Sequence, residues 1–315
     1  MPEVALIFPL IVMLAVVVFA VARRGAFRSL VIADGHLPAA VSAVHHFRRR
    51  SVLAMIVVVL FGAVLGAYLM FAIRATGPMT MMNPVHWLLL MPILTGTVGV
   101  ASFSFVPHFR EAGDSRSAEL IRRTPFTFGP QRAFVAPSAA TAILLALVFW
   151  FGVISEPDGM FWRSDRGGTI PGFFYGVPLL AGTVLIAAVT YLAVRHIASA
   201  PRPSDGALRA ADATVRLLAI RIILNTVTAA VIMTVGAVLV MAGSTFESMA
   251  RGTRFDGAGN LIPPDAAIQA IGVWGNVCIW AGVACFVATI VFLVSAVSDA
   301  TRKPFEATRV AEVAP

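Results

Sequence analysis

From Leu217 to Gly243 the chain reads LLAIRIILNTVTAAVIMTVGAVLVMAG. Its one charged residue is Arg221, about a turn from the start, and its one carboxamide is Asn225. At a rise of about 1.5 Å per residue a helix of this length extends about 40 Å, more than the roughly 30 Å of a bilayer's hydrocarbon core. The run is not an alternation of apolar and polar residues, so it does not read as a barrel strand. A helix is then the structure that satisfies its backbone in lipid.

Six further apolar blocks flank this one: Val4–Ala22, Val52–Ile73, Val85–Pro107, Phe134–Ile154, Phe173–Val194 and Ile268–Val297. The composition agrees, with 58% hydrophobic and 13% charged residues where a soluble domain carries about 25% charged. Such an excess of apolar surface excludes a soluble enzyme or a DNA-binding factor. The expectation is a single all-α membrane domain over residues 1–315, a polytopic bundle of seven transmembrane helices embedded in the lipid bilayer. The first block has Glu3 before it and Arg23 and Arg24 after it. A cleavable signal carries its positive charge in front, so this block reads as a retained helix.

The net charge of +8 comes from 24 basic residues, of which only Lys303 is lysine. All but Arg221 lie outside the blocks, and they form no single patch, so no nucleic-acid partner is implied. Placing alternate connections on opposite sides puts nineteen basic residues on one side and five (Arg74, Arg163, Arg166, Arg251, Arg254) on the other. By the positive-inside rule the N-terminus lies outside and the C-terminus in the cytoplasm.

The inner segments carry pattern of their own. After Ser204 or Asp205 as a cap, Leu208, Ala211, Val215 and Leu218 recur at helical spacing, while Asp205–Arg209 and Asp212–Arg216 stand at i and i+4 with the acid first. A short amphipathic helix is expected here, and a weaker one from Pro38 to Arg50. Leu208 and Val215 are the residues expected to meet a cytosolic partner. The outer segment Thr253–Pro264, with Asp256-Gly257 and Asn260 between short apolar stretches, reads as a hairpin turn.

Within the predicted spans chemistry is sparse, since all 16 acidic residues fall outside them. A lysine for a retinal Schiff base is lacking in the last helix, and the two cysteines (Cys278, Cys285) share one block. Of the six histidines five lie at or inside the inner boundary, where a pair such as His108 with His196 could ligate a cofactor, although interfacial polar residues among arginines explain them more simply. No cofactor, metal or catalytic constellation is expected. Uncharged polarity remains: Thr95 and Thr97 among the small residues of the third block, Asn225 in the sixth and Asn276 in the seventh. Interhelical hydrogen bonding explains such residues, and so does the lining of a site for a neutral ligand.

The stretches Ile170-Pro171-Gly172-Phe173-Phe174-Tyr175 with Pro178-Leu179-Leu180, and Pro203-Ser204-Asp205-Gly206-Ala207-Leu208-Arg209, resemble landmarks of uncharacterised multi-pass membrane proteins of high-GC Gram-positive bacteria. The resemblance covers roughly Arg122 to Gly243. It implies a bacterial plasma-membrane setting and assigns no activity to any residue. Two function classes follow from the whole reading. The first is a non-enzymatic, permease-like or accessory membrane subunit that docks a cytosolic partner. The alternative is a stand-alone carrier or sensor for a neutral or apolar ligand.

Overall fold

The computed structural model describes residues 30–32, 37–76, 85–104, 132–156, 170–200, 206–252, 254–255, 261–262, 266–301 and 305–307. The expected span Val4–Ala22 lies outside the described residues. Six helices follow in order: α1 (Leu37–Thr76), α2 (Val85–Ser104), α3 (Arg132–Ile154), α4 (Phe173–Ser199), α5 (Gly206–Arg251) and α6 (Ala266–Thr301). Each contains or begins with one of the other six predicted spans. Five are long and apolar enough to cross a membrane, and α2 supplies the shorter apolar helix Leu88–Ser104.

Four short strands complete the order. Strand β1 (Leu30–Ile32) precedes α1 and pairs in parallel with β4 (Phe305–Ala307), which follows α6. Strands β2 (Arg254–Phe255) and β3 (Leu261–Ile262) pair antiparallel between α5 and α6, at the hairpin expected from Asp256-Gly257. The β1–β4 pairing holds the start of α1 and the end of α6 at one end of the bundle, and β2–β3 marks the other.

The expected short amphipathic helices are not separate elements. Residues from Leu37 and from Gly206 run without a break into the bundle, giving helices of 40 and 46 residues. The physical reason is the absence of a breaker. Pro38 sits in the first turn of α1, where a missing N–H costs nothing, and α5 has no proline at all.

Helix α5 is the axis of the fold, and each of the other five helices packs on it. Every residue from Ile222 to Val231 is buried, so nearly three turns are enclosed on all sides. The other helices turn large apolar side chains outward, among them Val59, Val64 and Phe71 of α1, Phe149 and Trp150 of α3, Val184 and Leu192 of α4, and Val273 and Trp274 of α6. So much apolar exposure on several faces suits contact with lipid tails and not with water.

Close approach in the bundle is made by glycine. In the α5–α6 pair Ala229, Gly236 and Gly243 recur every seven residues opposite Thr289, Gly282 and Gly275. A Cβ placed on Gly282 would lie 2.7 Å from the Gly236 carbonyl oxygen, and one on Gly243 would lie 2.6 Å from the Gly275 oxygen. The two backbones therefore touch along a seam with room for no side chain. Glycines of α2 do the same towards α5, since a Cβ on Gly96 would fall 2.5 Å from the Ala230 methyl. The small residues of α2 thus act first as packing surface.

Candidate functional site

Most buried hydroxyls in this bundle are spent on their own helix. Thr183 donates to the Leu179 carbonyl, Thr226 to Ile222, Thr228 to Leu224 and Thr234 to Ala230, each at 2.7–3.0 Å and four residues back. Such groups cost little to bury and offer nothing to a ligand. Apart from Thr95, the groups that differ most gather at the β1–β4 end.

Arg216 is the largest fully buried side chain among the described residues, at 0% exposure, nearly three turns inside α5. Its Nε donates to Asp212 Oδ2 at 2.7 Å, and its Nη1 donates to the carbonyl oxygens of Ile197 at 2.8 Å and Ala200 at 2.9 Å. The reason lies in α4. A helix ends with four carbonyls that have no amide partner and with a partial negative charge, and α4 ends at Ser199. The guanidinium supplies donors and positive charge where both are required, while Asp212 balances the charge. The i,i+4 pair expected on an exposed face is therefore buried, and it ties α5 to the end of α4. Breaking such a pair by removing one partner typically costs about 3–5 kcal/mol, because the other charge is left behind.

About one turn further along α5, Arg221 pairs with Asp299 of α6, Nε to Oδ2 at 3.5 Å. Asp299 lies two residues beyond the predicted end of the last span, as expected of an acidic residue here, yet it is only 6% exposed. Helix α6 continues to Thr301, which draws Asp299 into the packed end. Ser51 of α1 is 0% exposed, and its hydroxyl has no hydrogen-bond partner among the described residues. Stepping seven residues along α1, α5 and α6 from the Val58–Gly99 and Gly99–Thr226 contacts and the Ala229–Thr289 hydrogen bond brings Ser51 to about the depth of Asp299. The β1–β4 end thus holds two ion pairs and a buried hydroxyl around three helices.

The four residues expected to line a ligand site are distributed as follows. The Thr95 hydroxyl is buried without a hydrogen-bond partner among the described residues, and its side chain faces Gly62 of α1. The Thr97 hydroxyl donates to the Ile93 carbonyl at 2.7 Å. Asn225 is 5% exposed within α5. Asn276 is exposed on α6, and its Nδ2 donates to the Gly272 carbonyl at 3.4 Å. Because neighbouring Gly275 packs on Gly243, Asn276 stands about 27 Å along α5 from Asn225. Thr95, Thr97 and Asn225 lie at similar depth, since Gly96 meets Ala230 and Gly99 meets Thr226; Asn276 does not join them.

Of the expected docking residues, Leu208 lies in the first turn of α5, while Val215 is half-buried and packs against the core. Leu218 of the same stripe is fully inside. The bundle therefore takes up the lower part of that stripe itself. Sequence reasoning recognised Asp212–Arg216 only as a surface pair and missed Asp299 and Ser51. The available signal was that Asp212 and Arg216 stand within five residues of a block that admits one charge, Arg221.

Among the described residues no group of three or more His, Cys, Asp or Glu side chains stands in position to hold a metal ion. What the charged end can do is fix helix ends against one another and present a rigid face. No protein-family model matches this chain, and comparisons with curated proteins and with solved structures find no significant similarity.

Proposed function

We propose that the chain is a seven-helix protein of the bacterial plasma membrane, with Val4–Ala22 as its first helix, the N-terminus outside and the C-terminus in the cytoplasm. It works as a non-enzymatic, permease-like or accessory subunit whose cytoplasmic face docks a soluble partner. The nineteen-to-five division of basic residues supports the orientation. The β1–β4 pairing is compatible with it, since an even number of crossings between Leu30 and Phe305 returns the chain to its starting side.

One observation carries the docking reading. Helix α5 begins at Gly206, runs unbroken into the bundle, and is clamped to the end of α4 by Arg216. A helix end held this firmly is a preorganised surface, and preorganisation lowers the entropic cost of binding. The test is cross-linking in the native membrane, affinity recovery through a tag, and mass spectrometry of the neighbours. The reading expects a stoichiometric cytosolic protein that is lost when Leu208 is changed to aspartate. Recovery of the chain alone, or of the same neighbour from the Leu208→Asp variant, argues against it.

The second reading, a carrier or sensor for a neutral ligand, is favoured by the unpartnered Thr95 hydroxyl. A buried hydroxyl without a partner is costly unless something satisfies it. Thr95→Val removes the donor at nearly constant shape. Ligand uptake or binding that survives this change unaltered counts against the reading.

A further inference from the structure

Helix α4 divides cleanly along its length. Leu179, Gly182, Ile186, Ala193 and Ile197 face the bundle, while Val184, Ala188, Tyr191 and Arg195 follow one another at four- and three-residue spacing on the exposed side. Val184 is 69% and Tyr191 56% exposed. The stripe therefore starts among lipid tails and ends on a phenol and a guanidinium. Its level follows from packing: Gly182 lies against Leu90 and Ile93 of α2, and Ile186 against Gly96, so Arg195 stands beside the last residues of α2, where the apolar slab ends.

Two described arginines at this end of the bundle are already engaged. Arg216 serves Asp212 and the carbonyls that end α4, and Arg221 serves Asp299. Arg195 is exposed, and among the described residues no carboxylate pairs with it. Nor is its charge required at the end of α4, since Arg216 covers the Ile197 and Ala200 oxygens. A cation on a lipid-facing stripe at this depth reaches the headgroup layer by extending its apolar stem, and a tyrosine one turn deeper is a usual neighbour there.

We propose that Tyr191 and Arg195 form a binding position for the phosphate of one anionic phospholipid in the adjoining leaflet, with the acyl chains lying along Ala188 and Val184. A guanidinium matches phosphate oxygens with paired donors, and the tyrosine hydroxyl adds a donor at the glycerol level. The proposal concerns only the lipid-facing side of α4 and holds under either reading of function.

The test uses the full chain reconstituted in nanodiscs of equal parts phosphatidylglycerol and phosphatidylcholine, released in the gas phase, with retained lipids counted by native mass spectrometry. The wild-type chain is expected to retain phosphatidylglycerol in preference. Arg195→Gln is expected to lower the occupancy of one such lipid about fivefold, as for one basic residue near a charged surface, while Arg195→Lys keeps most of it. Arg251→Gln, which alters an arginine already paired with Glu247 at the far end, leaves the count unchanged. Because Arg195 is exposed, helicity by circular dichroism remains that of wild type. Equal retention of the two lipids by wild type, an undiminished count in Arg195→Gln, or an equal loss in Arg251→Gln overturns the proposal.

Discussion

Helices α5 and α6 are neighbours joined by a β-hairpin, in contact along most of their length, and both strongly apolar, yet their surroundings are opposite. Of the most apolar membrane-length stretch of each, 78% is buried in α5 and 11% in α6. The interior helix is the more polar of the two. It holds Asp212, Arg216, Arg221, Asn225, Thr226, Thr228 and Thr234, nearly all buried, whereas α6 turns Val273, Trp274, Val277 and Ile290 outward. In water a core is recognised by apolarity. In lipid tails, apolar side chains gain nothing by leaving the solvent, and polar groups and close backbone contact select the interior.

The sharpest way to break this contrast is at Arg216. Arg216→Leu leaves Asp212 charged and the last carbonyls of α4 uncovered, and is expected to cost about 3–5 kcal/mol, read as a lowered unfolding midpoint of the detergent-solubilised protein. Adding Asp212→Leu to the same chain removes the stranded charge and is expected to recover much of that loss. If the single change costs no more than a surface substitution, α5 is not anchored there.

Next in size is the seam. Gly282→Leu drives a side chain against the backbone of α5 at Gly236, an overpacking expected to cost about 1–3 kcal/mol and to lower the yield of a disulfide between cysteines placed at Ala229 and Thr289. Unchanged stability and cross-linking yield would mean that α5 and α6 approach through side chains instead. A smaller effect is expected at Asp299→Asn, which weakens the contact to Arg221. At 3.5 Å and partly open to solvent, that pair contributes about 1 kcal/mol, within the range of interhelical polar contacts in membrane proteins. Smallest of all is Val64→Leu on the exposed side of α1, expected to shift stability by less than about 0.5 kcal/mol.

The six described helices were legible from run length alone, because a bilayer demands about twenty apolar residues and charged residues separate the runs. The β2–β3 hairpin was legible from Asp256-Gly257. The lengths of α1 and α5 were not, since the polar stretch ahead of each block suggests a separate surface helix, and only the lack of a breaker joins them. The seam of Gly236, Gly243, Gly275 and Gly282 is visible as a seven-residue repeat of small residues once one knows which two helices pair. A single helix does not disclose its partner. The burial of Arg216 was hidden for a like reason: its neighbours at Ile197 and Ala200 are backbone atoms, and no residue type announces a free carbonyl. Asn276 was grouped with Asn225 by chemical type, whereas the antiparallel register sets them far apart along the bundle.

The central claim is that α5 is enclosed on every side while α6 lies at the lipid boundary. Spin labels placed one at a time from Ile222 to Val231 on α5 and from Gly272 to Trp280 on α6, with collision rates to oxygen in reconstituted bilayers, test it most directly. The account predicts uniformly low oxygen access along the α5 series, and along α6 an oscillation with a period near 3.6 residues that peaks at Val273, Trp274 and Val277. An oscillation of equal amplitude along α5 would contradict it.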